Sequence, residues 1–273
     1  MDDKPHAKTP PPGVRAQKTA LAAARWLALV VLVIVIVIAV TSCSSGAGDE
    51  AAPSNPHEGS GSAPASASAS ASAPTGPAAD GVAAGIERAA SYNFTLTSTA
   101  SAQDLEALRA APQDTLQGAS VAPSACRNAV EQLNWSPAGL GQEAARTDFA
   151  ADGVEATGSV EVARVGDRSA LDGHYATVRQ MLDACSDVTL SISGTEVPLR
   201  STAPAGKAAD AKSALLWSRA GKGSDLQQQA LVLIGERNGY VAMVSFIGTS
   251  GLDDAKFSSM ADGILTATLK GLA

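Results

Sequence analysis

Downstream of residue 84, apolar and polar side chains alternate in short runs. Tyr92, Phe94 and Leu96 oppose Asn93, Thr95 and Thr97, and Val188, Leu190 and Ile192 oppose Thr189, Ser191 and Ser193. Between them, Val154, Ala156, Val160 and Val162 oppose Glu155, Thr157 and Glu161. A two-residue period predicts strands with one side on a core and the other in water, the pattern of an antiparallel sheet. The stretch QALVLIGERNGYVAMVSFIG sets Asn238-Gly239 between two apolar runs, the strongest short hairpin signal. A two-residue turn there pairs Leu233 with Val244 and Leu231 with Phe246. Because Ile234 and Met243 are apolar too, the hairpin belongs at the centre of the sheet. SALLWSRA, just before it, reads as another strand.

The helical period appears three times. Ser124 can cap a helix whose Cys126, Ala129, Val130 and Leu133 share one face. A second helix, from about Ser169 to Ala184, carries Leu171, Tyr175, Val178, Leu182 and Cys185 in one stripe. A third starts at Asp253 or Asp254 and turns Phe257, Met260, Ala261, Ile264 and Leu265 inward. A weaker helix covers Ala102 to Ala110. Helices interleaved with antiparallel strands predict an α+β domain over 84–273, its helices packed on one face of the sheet.

Upstream, the pattern changes twice. Residues 44–83 are Ala, Ser, Pro and Gly with a repeated Ala-Ser dipeptide and no apolar period, a disordered linker. His57 lies in it, and a lone His is no metal site. Residues 1–26 form a basic region with Lys4, Lys8, Arg15, Lys18 and Arg25, and residues 27–43 an apolar signal segment. Leu27 to Val40 is an unbroken run of 14 apolar residues, the length of a secretory signal core. With Asp49 and Glu50 beyond it, the positive-inside rule keeps the N-terminus in the cytoplasm and exports the rest.

Val40-Thr41-Ser42-Cys43 resembles a bacterial lipobox, which implies diacylglycerol on Cys43, removal of the preceding peptide and an acylated new amino terminus. Two or more acyl chains, at about 0.8 kcal/mol per buried methylene, make a stable anchor. The rival is an uncleaved signal anchor over Leu21–Thr41, with Arg25 snorkelling. Both readings hold the domain on the outer side of the cytoplasmic membrane. In that oxidising space, Cys126 and Cys185, each on an inward helical stripe, are candidates for a disulfide joining two helices. Two separate buried thiols are the alternative.

The lipobox, the Ala/Ser/Pro linker, the helix-borne cysteines, the GERNGYVAMVSF hairpin and the closing amphipathic helix together resemble an actinobacterial lipoprotein. Over roughly Ser124 to Leu269 the domain is distantly similar to the extracellular sensor-type domain of actinobacterial serine/threonine kinases. That resemblance implies a sheet flanked by helices and a cleft for a ligand.

Chemistry leaves a fainter trace. The formal charge of -7 comes with scattered basic residues, which argues against nucleic acid as a partner. RAGKGSD lacks the glycine spacing and the hydroxyl of a phosphate loop, and Gly-x-Ser-x-Gly does not occur. His174 with Asp172 or Asp167 and a serine is the sole conceivable triad, and a solvated surface histidine is the plainer reading. Asp253-Asp254 complements a helix dipole. Trp135 and Trp217 fit a core or a cleft. The Ser/Thr side of the strands, from Thr95 and Thr97 through Thr157 and Ser159 to Thr189 and Ser191, would form a polar binding surface if the strands adjoin. The expected function is therefore a non-enzymatic, membrane-tethered extracytoplasmic protein without cofactor or metal, binding an envelope ligand or protein. An assembly factor of an envelope complex is the alternative.

Overall fold

The computed structural model describes residues 75–110, 116–206, 209–221 and 227–272. The basic region, the apolar signal segment, Val40, Thr41, Ser42 and the proposed lipidation residue Cys43 lie outside them. Among the described residues no helix is long and apolar enough to cross a membrane.

The chain forms α1 (Pro77–Ala90), β1 (Leu96–Thr99), α2 (Ala102–Arg109) and β2 (Ala119–Ala122). A 3-10 turn (Ser124–Cys126) leads into α3 (Arg127–Glu131), and a second (Pro137–Leu140) into β3 (Ala144–Ala150) and β4 (Ala156–Arg164). Then come α4 (Arg168–Asp183), β5 (Asp187–Ile192), β6 (Thr195–Thr202), β7 (Ser213–Ala220), β8 (Gln227–Arg237), β9 (Tyr240–Gly248) and α5 (Ala255–Lys270). Among the described residues, all nine strands join one sheet in the order β1-β3-β4-β9-β8-β7-β6-β5-β2, and every neighbouring pair is antiparallel. The α+β class is therefore what the chain adopts.

The β8–β9 hairpin has the expected register, Leu231 opposite Phe246 and Leu233 opposite Val244. Its turn places Asn238 at φ 52° and Gly239 at φ 80°, the left-handed pair that suits strand twist. This hairpin sits at the middle of the sheet, and its strands are apolar on both sides. That double-sided character decides where the helices go. Rather than sharing one face, they divide between two. On one face α1 and α5 cover β3, β4, β9 and β8, burying Phe149, Val160, Val162, Leu231, Leu233, Val244 and Phe246. On the other, α3 and α4 cover Val121, Val188, Leu190, Val197, Leu199 and Leu215 on β2, β5, β6 and β7. A third cluster on that second face sets Leu140 and Leu171 on Ala163, Ile234, Val241 and Met243.

Helix α1 begins at Pro77, inside the stretch expected as linker. Its Ala- and Gly-rich sequence carries little apolar bulk, yet small residues let it pack closely on α5. A Cβ at Gly85 would run into Thr268 and Val160. Strand β1 starts four residues later than its alternation suggests, so Phe94 enters the core ahead of it while Leu96 is 52% exposed.

Cys126 and Cys185 are joined, with Cα atoms 5.7 Å apart. The bridge ties the 3-10 turn before α3 to the residue just after the C-cap of α4. In the chain-entropy picture a loop of 59 residues is worth roughly 4 kcal/mol.

Glu161, expected on the solvated side of its strand, is completely buried. Its carboxylate accepts from Ser136 Oγ, from the Ala138 N–H at 2.8 Å and from Arg146 Nη1 at 3.2 Å. A strand pattern cannot foresee this, because the Pro137–Leu140 turn that lies over β4 comes from 20 residues upstream and needs an anion for its free N–H.

Candidate functional site

Beyond α5 the first face of the sheet loses its helical cover. In the angle between α5, β7 and β8 lies a cavity of about 330 Å³, closed by Ala203–Gly206 after β6. Leu233 and Ala214 form its floor, and α5 supplies Ala255, Ser258, Ser259 and Asp262. These four recur at i, i+3, i+4 and i+7, so they make one stripe down the helix, beside the apolar stripe of Ala261, Ile264, Leu265 and Leu269. Asp254 caps the helix through a 2.8 Å bond from Lys256 N–H, which fixes the stripe's orientation. Of the acidic pair, Asp254 takes the capping role.

Two of the lining residues carry a buried polar atom without a partner. Ser258 is only 8% exposed, and its Oγ has no hydrogen-bond partner among the described residues. Asp262 Oδ1 is buried without a partner as well. The carboxyl of Asp262 receives the Ala209 N–H, but burial first and then the nearby charge of Asp210 raise its pKa above the ordinary carboxylate value. Asp210 is itself held by Thr266, whose hydroxyl donates to Oδ2 at 2.7 Å. Such orphaned buried acceptors are unusual, since burying a polar atom without a partner costs on the order of 1–3 kcal/mol. The volume falls in the range of small-ligand sites.

Nothing local in the sequence marks Ser258, Asp262 or Asp210, because a small and acidic stripe flanking the apolar one on the last helix reads by itself as a solvated face.

His174 differs from its expectation. It is 7% exposed, lies flat against Trp135 at 4.1 Å between ring centroids, and is pushed down to about 4 by burial. The acids proposed for it are engaged elsewhere: Asp167 caps α4 by accepting from the Ala170 N–H, and Asp172 pairs with Arg168. Nδ1 of His174 has no partner among the described residues, so no triad is assembled there. Trp135 and Trp217 are both half-buried against core clusters.

The Ser/Thr surface does not form either. Thr97 lies opposite Phe149 on the face covered by α1 and α5, while Thr157 lies opposite Ala150 and so points to the other face. Ser159 is buried, its hydroxyl bonded to that of Ser245 at 2.8 Å. Thr189 and Ser191 are five and more strands away, on β5. Among the described residues no group of three or more His, Cys, Asp or Glu could hold a metal ion.

No protein-family model matches the chain, and no curated protein is similar to it. Among solved structures, distantly similar ones include the following two. An uncharacterized protein of Mycobacterium smegmatis, the Rv0999 ortholog, shares 14% identity at a TM-score of 0.44, over 70% of this chain and 97% of that one. The extracellular domain of PknH from Mycobacterium tuberculosis shares 11% identity at a TM-score of 0.35, over 62% of this chain and 91% of that one.

Proposed function

We propose that this protein is a membrane-tethered, extracytoplasmic binding protein that takes a small ligand in the cavity beside α5 and carries out no chemistry on it. One observation carries the binding reading: a largely apolar cavity of about 330 Å³ lined on one side by Ser258 and Asp262, whose Oγ and Oδ1 are buried without partners beneath its surface. A ligand whose donors reach these atoms after a small side-chain rotation would relieve a cost the free protein bears. The engagement of Asp167 and Asp172 away from His174 speaks for binding over catalysis.

Export is supported by the charge-flanked apolar run and by the Cys126–Cys185 bridge, since disulfides persist in oxidising compartments. The lipobox-like Val40–Cys43 favours a lipid tether over an uncleaved anchor. Intact mass of the protein extracted from its native membrane tests the tether. Loss of residues 1–42 with added acyl mass is the expected result, and a full-length unacylated chain would establish the uncleaved anchor instead.

The assembly-factor alternative needs an extended apolar patch. Among the described residues the exposed large hydrophobics are Leu96 (52%) and Ile247 (42%), which stand three strands apart in the sheet order, roughly 14 Å. That spacing leaves two isolated side chains and favours the ligand-binding reading.

A further inference from the structure

We propose that, independently of the cavity, two copies of this chain pair edge to edge through β1, so that one sheet continues across both. The open sheet ends at β1 on one side and β2 on the other, and a free edge presents backbone groups that another strand can meet. The two edges are guarded differently. At β2, Arg127 donates to the Ala119 and Leu116 carbonyls, and Pro123, which has no N–H, follows the strand directly. At β1 all of Leu96, Thr97, Ser98 and Thr99 are exposed, and among the described residues no strand lies on their outer side. Charged side chains and Pro are the usual guards of an edge, and the whole stretch from Asn93 to Gln103 contains neither.

The pairing of β1 with β3 settles which backbone groups face outward. The Ala100 N–H donates to the Arg146 carbonyl at 3.0 Å, so Ala100, Ser98 and Leu96 are the residues bonded to β3. Thr97 and Thr99 therefore turn their N–H and C=O to the open side. These two match themselves about a two-fold axis. Thr97 of one copy exchanges both backbone bonds with Thr99 of the other, Thr99 does so with Thr97, and Ser98 faces its own counterpart on the axis. In that register the side chains suit one another as well. Threonine meets threonine across the strands, and Leu96, 52% exposed in the single copy, comes to lie on Ala100 of the second. No charge on β1 repels its own image, and Asp148, opposite Ser98 on β3, is already paired with Arg146 at 2.8 Å.

Cysteine cross-linking on intact cells producing the full chain tests this. Ser98→Cys puts a thiol on the axis with its counterpart's Cα at about 4.5 Å, inside the range a disulfide spans. Oxidation by copper–phenanthroline should give an adduct of twice the monomer mass. Ser120→Cys, exposed on β2, should give none above the unaltered chain, which also reports any dimer made through Cys43. Adding Thr97→Pro to Ser98→Cys removes an outward N–H while sparing the bonds to β3, so the adduct should be lost with circular dichroism unaltered. Adding Ser259→Trp, which fills the cavity beside α5 from its exposed rim, should leave the adduct unchanged, so that pairing and ligand binding are read separately. No adduct beyond that of Ser120→Cys, or one that survives Thr97→Pro, overturns the pairing. An adduct of another mass assigns the edge to a different protein and overturns it too.

Discussion

The two halves of the sheet are held together by different means. Around β3, β4, β9 and β8 the core is deep: Phe94, Phe149, Phe246 and Phe257 meet edge-on or tilted at 5.4 to 5.5 Å, and α1 and α5 interlock through small residues. Around β7, β6, β5 and β2 the cluster is smaller and aliphatic, covered by the five-residue α3 and the end of α4, with the disulfide at its centre. One half has the apolar area to stand by burial, and the other relies on a covalent staple. Helix α4 links them, with Leu171 in the third cluster and Val178 and Met181 in the second. The cavity opens where the cover of α5 ends, at the border of the deep half.

The largest effect should come from attacking the deep half. Phe246→Ala removes the hub of the aromatic cluster and should cost about 4 kcal/mol in denaturant unfolding. Replacing both Cys126 and Cys185 by Ser should cost up to roughly 4 kcal/mol, and hydrogen exchange should locate the loosening. Amides of β5, β6 and α3 should exchange faster while those of β4 and β9 keep their protection. Uniform acceleration across the sheet would show that the halves are one cooperative unit.

A third effect concerns the link. His174 is held neutral, with its pKa near 4 against an ordinary value near 6.5. The unfolded chain takes up a proton below pH ~6.5 and the folded one does not until about 4, so stability should fall across that window by about 3 kcal/mol. His174→Gln should flatten that pH dependence, measured as the difference in Tm between neutral and mildly acidic buffer. The smallest effect belongs to the cavity. Asp262 is raised, so its charged form is the one the fold disfavours, and its cost is present at neutral pH and relieved as the pH drops into the carboxylate range. Asp262→Asn should therefore raise Tm slightly at neutral pH and leave it unchanged in acid.

Much of this fold is legible in the chain because its strongest signals are local. Asn238-Gly239 dictates a turn whose register then follows residue by residue, and the stripes of α4 and α5 need only their own periodicity. The bridge between Cys126 and Cys185 followed from two inward stripes in an exported chain. What escaped depends on neighbours distant in sequence. The first turn of helix α1, Pro77 to Gly81, reads like the linker before it, and the helix's sparse apolar positions, Val82, Ile86 and Ala89, are held by packing against α5, far along the chain. The division of helices between faces follows from β8 and β9 being apolar on both sides, a pattern visible in the sequence but compatible with several arrangements. Glu161 was assigned to solvent because alternation marks a side of the strand, not what covers that side. That Ser258 and Asp262 line a cavity depends on the Ala203–Gly206 segment, which lies far upstream of α5.

The central claim, that the cavity beside α5 binds a small molecule, is tested most directly by thermal shift of the full chain and of Ser259→Trp across a broad set of envelope metabolites. At least one compound should raise Tm of the unaltered protein in proportion to the logarithm of its concentration and leave the tryptophan variant unmoved. Equal shifts in both proteins, or none in either, would contradict it.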